Sequence, residues 1–396
     1  MSDRLVYLQA DLPGIPEDLM IARDRGEVLF LTGAGVSTPA PSSLPGFAGL
    51  VVDIYQKLDS RLAQAMSAYR AAPKDKGPPD WRAFAADLDS KQQTELKRFA
   101  EGQFDVALGM LERRMTSDAA ATSRMRRVAA EVLNVATTPN TLHEALDRLG
   151  RRFGEPFIAT TNFDRLHEVA AGKAANGKSF GLSALPRPSR RADFRGLFHI
   201  HGVLSDRPTV PIDIVLTDQD FGDVYLRRRI ASDFIYDAIR IYHLAIIGYS
   251  LNDAPFRYLV NAVAGDSLHF PDLKERYAIV PKREGDLTVA EEWQARSITP
   301  VCYDAADNHR QLQDLMTAWA QSAPGPTGDA WPRERLRQMC RSSWIDASES
   351  DRSVFGYIFR RATGIERGAL VAHLGEIGAA TDWLDEANRL VRERLS

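Results

Sequence analysis

Cysteine is nearly missing: Cys302 and Cys340 are the two in 396 residues, far apart and with no CxxC spacing. That excludes a disulfide framework and a thiolate zinc site, and it is consistent with a reducing compartment. No apolar run approaches the roughly 20 residues of a membrane-spanning helix. The first residues, MSDRLVYLQADLPGIPEDL, carry acids and prolines where a secretion signal needs an apolar stretch. A soluble, cytoplasmic protein without membrane contact is the expectation. Charge of one sign is lacking too. With 50 Lys+Arg against 53 Asp+Glu the net charge is −3, so no overall attraction to nucleic acid arises and direct nucleic-acid binding is not expected.

What is present is a patterned globular chain, 44% hydrophobic and long enough for two or three domains. Residues 16–26 (PEDLMIARDRG) predict a short helix closed by Gly26, and Glu27–Thr32 (EVLFLT) a strand buried on both faces. From 50 to about 150 the apolar spacing turns helical, interrupted by a loop at 73–80. Strand signals return at 156–161, 197–203, 245–249, 277–281 and 299–303, with helical segments between several of them, including 224–242. Strands alternating with helices predict an α/β fold: a Rossmann-like parallel sheet covered by helices, with a helical insertion and a helical C-terminal extension. The implied organisation is a Rossmann-like domain from 1–49 and 151–322, an insertion at 50–150, a Pro/Gly linker at 323–329 and a helical region at 330–396.

Four short segments carry chemistry. Gly33-Ala34-Gly35-Val36-Ser37 ends a buried strand, where glycines admit a pyrophosphate or simply make a tight turn; Thr38, Pro39 and Pro41 forbid an immediate helix. Thr160-Thr161-Asn162-Phe163-Asp164 follows a strand. There Asn162 suits a ribose hydroxyl or a water, and Asn162 or Asp164 equally suits a helix N-cap. In FHIHGVL (198–204), His199 and His201 alternate and share one face if the strand includes both. A metal pair lacks further ligands; a general base with a near-neutral pKa fits His201, and internal packing remains open. IIGYSLND (246–253) again ends a strand in Gly248, with Ser250 a ribose contact or a cap.

The order GAGVS, TTNFDRLHE, HG, GYSL resembles the sirtuin family, whose elements read GAGxS, TQNxDxLHE, HG and GTSL; Pro45-Gly46-Phe47 falls where sirtuins carry Pro-Asp-Phe-Arg. The resemblance implies an NAD⁺-binding fold over about 27–310, apart from the helical insertion. It implies that Gly33, Ala34, Gly35 and Ser37 cradle the pyrophosphate, and that Phe47 and Thr161 also contact the dinucleotide. Asn162 and Asp164 would meet the nicotinamide ribose and nicotinamide, His201 would be the catalytic histidine, and Gly248 and Ser250 would meet the adenosine half. His199 and His167 would be structural. Deacylating sirtuins carry a four-cysteine zinc module that this chain cannot build, and Pro45-Gly46-Phe47-Ala48 has lost both charges of the family element. With no acyl acceptor tunnel, water becomes the acceptor, so NAD⁺ is a substrate, hydrolysed at the nicotinamide–ribose bond, without zinc. Leu216-Thr217-Asp218-Gln219-Asp220-Phe221 and the helical insertion are similar to the sirtuin-like NADase effectors of bacterial anti-phage systems. That similarity implies gating by homo-oligomerisation or by a partner such as a HerA-type ATPase/translocase or a short Argonaute. An ADP-ribosyl transferase and a regulatory subunit binding NAD⁺ or ADP-ribose without turnover are the alternatives. The basic, glycine-rich 171–196 loop reads as solvated, or as a cover for phosphates or a partner contact. The 330–396 helices read as a cap on the core or a docking surface.

Overall fold

The computed structural model describes residues 4–73, 77–115, 123–135, 137–204, 213–249, 273–283, 285–286, 288–324 and 330–392. Its centre is a sheet of β3 (Val28–Thr32), β5 (Glu155–Thr160), β6 (Ser179–Phe180), β7 (Gly196–His199), β8 (His243–Ile247), β9 (Arg276–Lys282) and β10 (Thr299–Asp304). Their order is β10-β9-β8-β3-β5-β7-β6, every pair parallel, and the two-residue β4 (Arg151–Arg152) runs antiparallel to β5. A separate antiparallel pair, β1 (Leu5–Val6) and β2 (Ile15–Pro16), opens the chain. The fold is a Rossmann-like α/β arrangement with a helical C-terminal region. The central strand β3 explains why: all five of its residues are buried. Val28 and Phe30 enter one core, Leu29 and Leu31 another, so alternate side chains serve opposite faces of a sheet covered on both.

Helices α1 (Glu17–Asp24), α7 (Thr141–Leu149) and α12 (Ala306–Ser322) cover the Val28/Phe30 face, where Trp319 packs 5.6 Å from Phe30. The C-terminal helices α13 (Trp331–Met339), α14 (Glu349–Arg361), α15 (Gly364–Glu376) and α16 (Thr381–Arg392) extend that same core. Arg360 of α14 reaches Glu17 at 2.8 Å and Arg361 reaches Asp24 at 3.2 Å. The 330–392 segment is therefore a cap on the core. Residues 325–329 of the expected linker lie outside the described residues.

Helices α2 (Phe47–Leu58), α3 (Ser60–Ala71), α4 (Ser90–Ala100), α5 (Phe104–Met115) and α6 (Arg124–Leu133) share a core of their own, which also takes in Phe163, Leu204 and Leu216. The helical block thus sits on the loops that follow β5 and β7. Helix α7, inside the expected 50–150 insertion, packs instead on the sheet through Leu142, Leu146 and Leu149. The predicted helix over 224–242 is two pieces. A short α9 (Asp218–Phe221) continues into a π-helical turn, Gly222–Arg227, and α10 (Ile230–Ile241) starts only after Arg229, at φ 58°; α11 (Thr288–Gln294) lies between β9 and β10. The 171–196 loop is not wholly solvated: it contributes β6, and Lys178 and Arg195 pair with Glu155 while Arg187 meets Asp233 and Asp237. No helix among the described residues is long and apolar enough to cross a membrane.

Candidate active site at the carboxyl edge of the sheet

In chain order β5 lies on one side of β3 and β8 on the other, so the strand order switches direction at β3. Ligands of open parallel sheets bind outside the carboxyl ends of strands at such a switch. A cavity of about 1300 Å³ opens here. Ala34, Gly35 and Ser37 after β3, Thr161, Asn162 and Asp164 after β5, His201 after β7, and Gly248 after β8 all line it, with Phe47 at the start of α2. Gly33 is not among the lining residues, and Ser250, with the rest of the 250–253 motif, lies outside the described residues.

The glycines have a reason of their own. A Cβ on Gly33 would stand 2.7 Å from the Gly248 carbonyl, one on Gly35 2.9 Å from Gly248 Cα, and Gly248 itself has φ +75°. The turns after β3 and β8 therefore touch backbone to backbone, and only glycine permits it. The amides of Gly33, Gly35, Val36 and Ser37 donate to Ile247, Gly248, Gly33 and Ala34 carbonyls at 2.9–3.0 Å. What this turn presents to the cavity is its surface more than a row of free amides.

Ser37 is a hub. Its Oγ donates to Asp164 Oδ2 at 3.0 Å, accepts from Asn162 Nδ2 at 3.0 Å, and lies 3.2 Å from His143 Nε2. Asp164 Oδ1 also accepts from the Leu166 amide at the start of α8 (Leu166–Ala171), whose N-cap position is Arg165, so one carboxylate ties the turn before the helix to the site serine. Burial raises the Asp164 pKa above the ordinary carboxylate value. Two residues the motif reading missed steady the hub. Asn140, the N-cap of α7, donates to the Val36 and Pro39 carbonyls at 2.9 and 3.2 Å, and His143 sits one turn into that helix. Only an N-cap signal, Asn140 before TLHEAL, marks them in the sequence. Burial, with His167 beside it, pushes the His143 pKa down to about 2.

The two histidines of HIHG part company, contrary to the shared-face expectation. β7 stops at His199, and a turn follows in which the Gly202 amide donates to the His199 carbonyl. Gly202 has φ +87°, and a Cβ there would lie 2.1 Å from the Asp213 carbonyl oxygen. His199 Nδ1 lies 3.1 Å from the Asn162 carbonyl and its Nε2 3.0 Å from Glu168. Burial opposes its charge, but Glu168 outweighs burial and the pKa is raised; Glu168, against its own burial, is held down at about 2. This buried pair anchors the backbone at Asn162. His201 instead has Nε2 2.6 Å from Tyr225 Oη and the Phe221 ring edge-on at 5.4 Å. With no carboxylate to offset burial, its pKa falls to about 3, not near neutral as the sequence reading had it. His201 is a neutral imidazole. Among the described residues no His/Cys/Asp/Glu group is arranged to hold a metal ion.

A mostly parallel sheet with its loops converging on a cavity at the switch point defines a Rossmann-like α/β protein. Residues 156–301 match the family model of the SIR2-like domain, and the chain carries a sirtuin-like domain there. Domains of that family bind NAD⁺. The chain is also similar to the uncharacterised protein y4cA of Sinorhizobium fredii, 32% identical over 301 residues, covering 74% of this chain and 22% of that protein. It therefore spans about a fifth of the curated relative it matches. Among solved structures, cytosolic 5'-nucleotidase IIIB bound to cytidine aligns at a TM-score of 0.31 and 10% identity, covering 76% of this chain and 89% of that one, too little to carry an argument.

Proposed function

We propose that this chain hydrolyses NAD⁺ at the nicotinamide–ribose bond. What supports the reading is one observation: Asn162, Asp164 and His201 line the same cavity, at the switch point of a sirtuin-like sheet. Asn162 and Asp164 would hold the ribose and nicotinamide end, their orientation set through Ser37. His201, neutral and buried, would take the proton from an attacking water. A weak base suffices, because departure of nicotinamide leaves a strongly electrophilic ribosyl carbon. Water is the acceptor because the helical block covers the loops after β5 and β7, and Cys302 and Cys340 cannot supply the zinc module of the deacylating relatives. In the cell the reading extends to an inducible effector that depletes NAD⁺ during phage infection. It would be gated by self-assembly or by a HerA-type ATPase/translocase or short Argonaute partner.

The test is release of nicotinamide and ADP-ribose from NAD⁺ by the purified protein, alone and with its genomic neighbour. Asn162→Ala and His201→Ala are each expected to lower turnover by about a hundredfold or more. Full turnover in both variants would remove the site assignment. Label from NAD⁺ retained on polypeptide would replace hydrolysis with ADP-ribosyl transfer, and binding without turnover would leave a regulatory subunit.

A further inference from the structure

The helical block reaches His201 through an ionic clamp. In α6, Arg126 Nη2 grips both carboxylate oxygens of Asp220 at 2.8 and 2.7 Å, while its Nε meets Glu112 at 3.1 Å and its Nη1 donates to the Ile214 carbonyl at 2.6 Å. Asp220 is spent on the same turn from the other side: its Oδ2 accepts from the Leu216 and Thr217 amides and from Thr217 Oγ1 at 2.9–3.0 Å. The guanidinium is forked onto Glu112, through Nε at 3.1 Å and Nη2 at 3.4 Å, and the same Nη2 holds Asp220, so its planar geometry fixes the direction of each bond as well as its length. From this clamp the chain passes through Phe221 into the π-helical turn Gly222–Arg227, which carries Tyr225, and Ser232 Oγ donates to the Tyr225 carbonyl at 2.8 Å. Single π turns recur where a side chain must be aimed away from the ordinary helical position. The side chain aimed here is Tyr225, and its hydroxyl meets His201 Nε2 at 2.6 Å. Tyr225 is not among the residues lining the cavity, whereas His201 and Phe221 are.

We propose that Tyr225 is a positioning residue for His201, and that the Arg126–Asp220 clamp of the helical block sets its place. With Nε2 engaged by Tyr225, the imidazole is held in one orientation and biased toward one tautomer. The groups on α6 then decide whether that orientation is kept. The kinetic consequence rests on the hydrolase reading; the effect on the imidazole does not.

The experiment compares the full chain with Tyr225→Phe, Arg126→Ala and Arg126→Lys. It follows the His201 ring nitrogens by ¹⁵N NMR, identified through loss of the signal in His201→Gln, alongside NAD⁺ turnover, NAD⁺ binding and melting temperature. Tyr225→Phe keeps the ring packing, so the melting temperature and NAD⁺ affinity should hold while the His201 nitrogens shift and kcat falls about tenfold with KM unchanged. Arg126→Ala should move the same nitrogens in the same direction. Arg126→Lys should restore them only in part, since one ammonium supplies charge but cannot meet Glu112, Asp220 and the Ile214 carbonyl in the directions of the guanidinium nitrogens. Unshifted His201 nitrogens in Tyr225→Phe overturn the proposal, whatever happens to activity. A wild-type protein that leaves NAD⁺ intact removes the hydrolase reading, and the nitrogen shifts still decide the positioning role.

Discussion

At the scale of residues, TTNFDRLHE is a wiring diagram. Thr160 Oγ1 donates to the Thr32 carbonyl, Asn162 and Asp164 hold Ser37, His167 lies 3.0 Å from Thr32 Oγ1, and Glu168 pairs with His199. Its two final residues are not among those lining the cavity; they tie α8 to β3 and β7. The histidines also carry a pH signature. His143, His167 and His201 have pKa values of about 2, 4 and 3 against an ordinary 6.5, all lowered first by burial. The unfolded chain therefore binds more protons than the folded one below pH 6.5, and stability falls as pH drops through 6.5 toward 4. Each such histidine contributes a slope of at most about 1.4 kcal/mol per pH unit, roughly 4 for the three. Below pH 6.5 the His199–Glu168 pair does not offset this, although above 6.5 the raised His199 still gains stability as pH falls. The stabilisation from raised His199 is lost only as pH rises through its folded pKa. That from Glu168 is present above its ordinary 4.5 and lost toward 2. The urea midpoint should drop clearly between pH 7.5 and 5.5, and identical midpoints would contradict the neutral histidines. That Asn162, Asp164 and His201 line one cavity was legible because their motifs are local. Tyr225 and His143 were not, since each acts on a residue far along the chain: 24 positions for Tyr225–His201 and 106 for His143–Ser37.

At the scale of elements, the helical block is held by more than its apolar stripe. Glu95 is almost fully buried and receives Tyr55 Oη at 2.9 Å and Arg114 Nε at 2.9 Å, while Arg114 also reaches Asp59 at 2.8 Å. Arg114→Ala would strand that carboxylate and should cost about 3–5 kcal/mol in urea unfolding. The neighbouring Arg113→Ala removes only a half-exposed pair with Asp218 and should cost about 0–1 kcal/mol. Equal losses would refute the network. Elements with continuous apolar strands were legible, β3, β5, β8, β9 and β10 among them. The break inside 224–242 was not: neither glycine nor proline occurs there. The π turn coincides with contacts that local propensity does not report, Tyr225 Oη to His201 and Ser232 Oγ to the Tyr225 carbonyl. HIHG misled for a related reason, since periodicity continues past the point where Gly202 turns the backbone.

At the scale of the whole molecule, the C-terminal helices close on the first helix through α14, with α16 packed behind it. Trp383 of α16 is fully buried, 4.8 Å from both Trp344 and Phe355 in ring-centroid distance, and Tyr357 donates to Asp24 in α1. Trp383→Ala should lower stability by about 3–5 kcal/mol. Because the C-terminal helices share the core of the sheet, the loss should appear in one cooperative transition. A separate early transition, with the rest of the protein unmoved, would show the cap to be independent.

Sequence by itself determined the parallel sheet, since an unbroken apolar strand must be covered on both faces, and it determined which turns meet at the cavity, because short motifs follow the strands that deliver them. Only the tertiary structure decided that the glycine turns pack on each other, that His201 is neutral, and that Tyr225 and Arg126 stand behind it. Burial and hydrogen bonds between distant segments set those properties, and neither exists until the chain has folded.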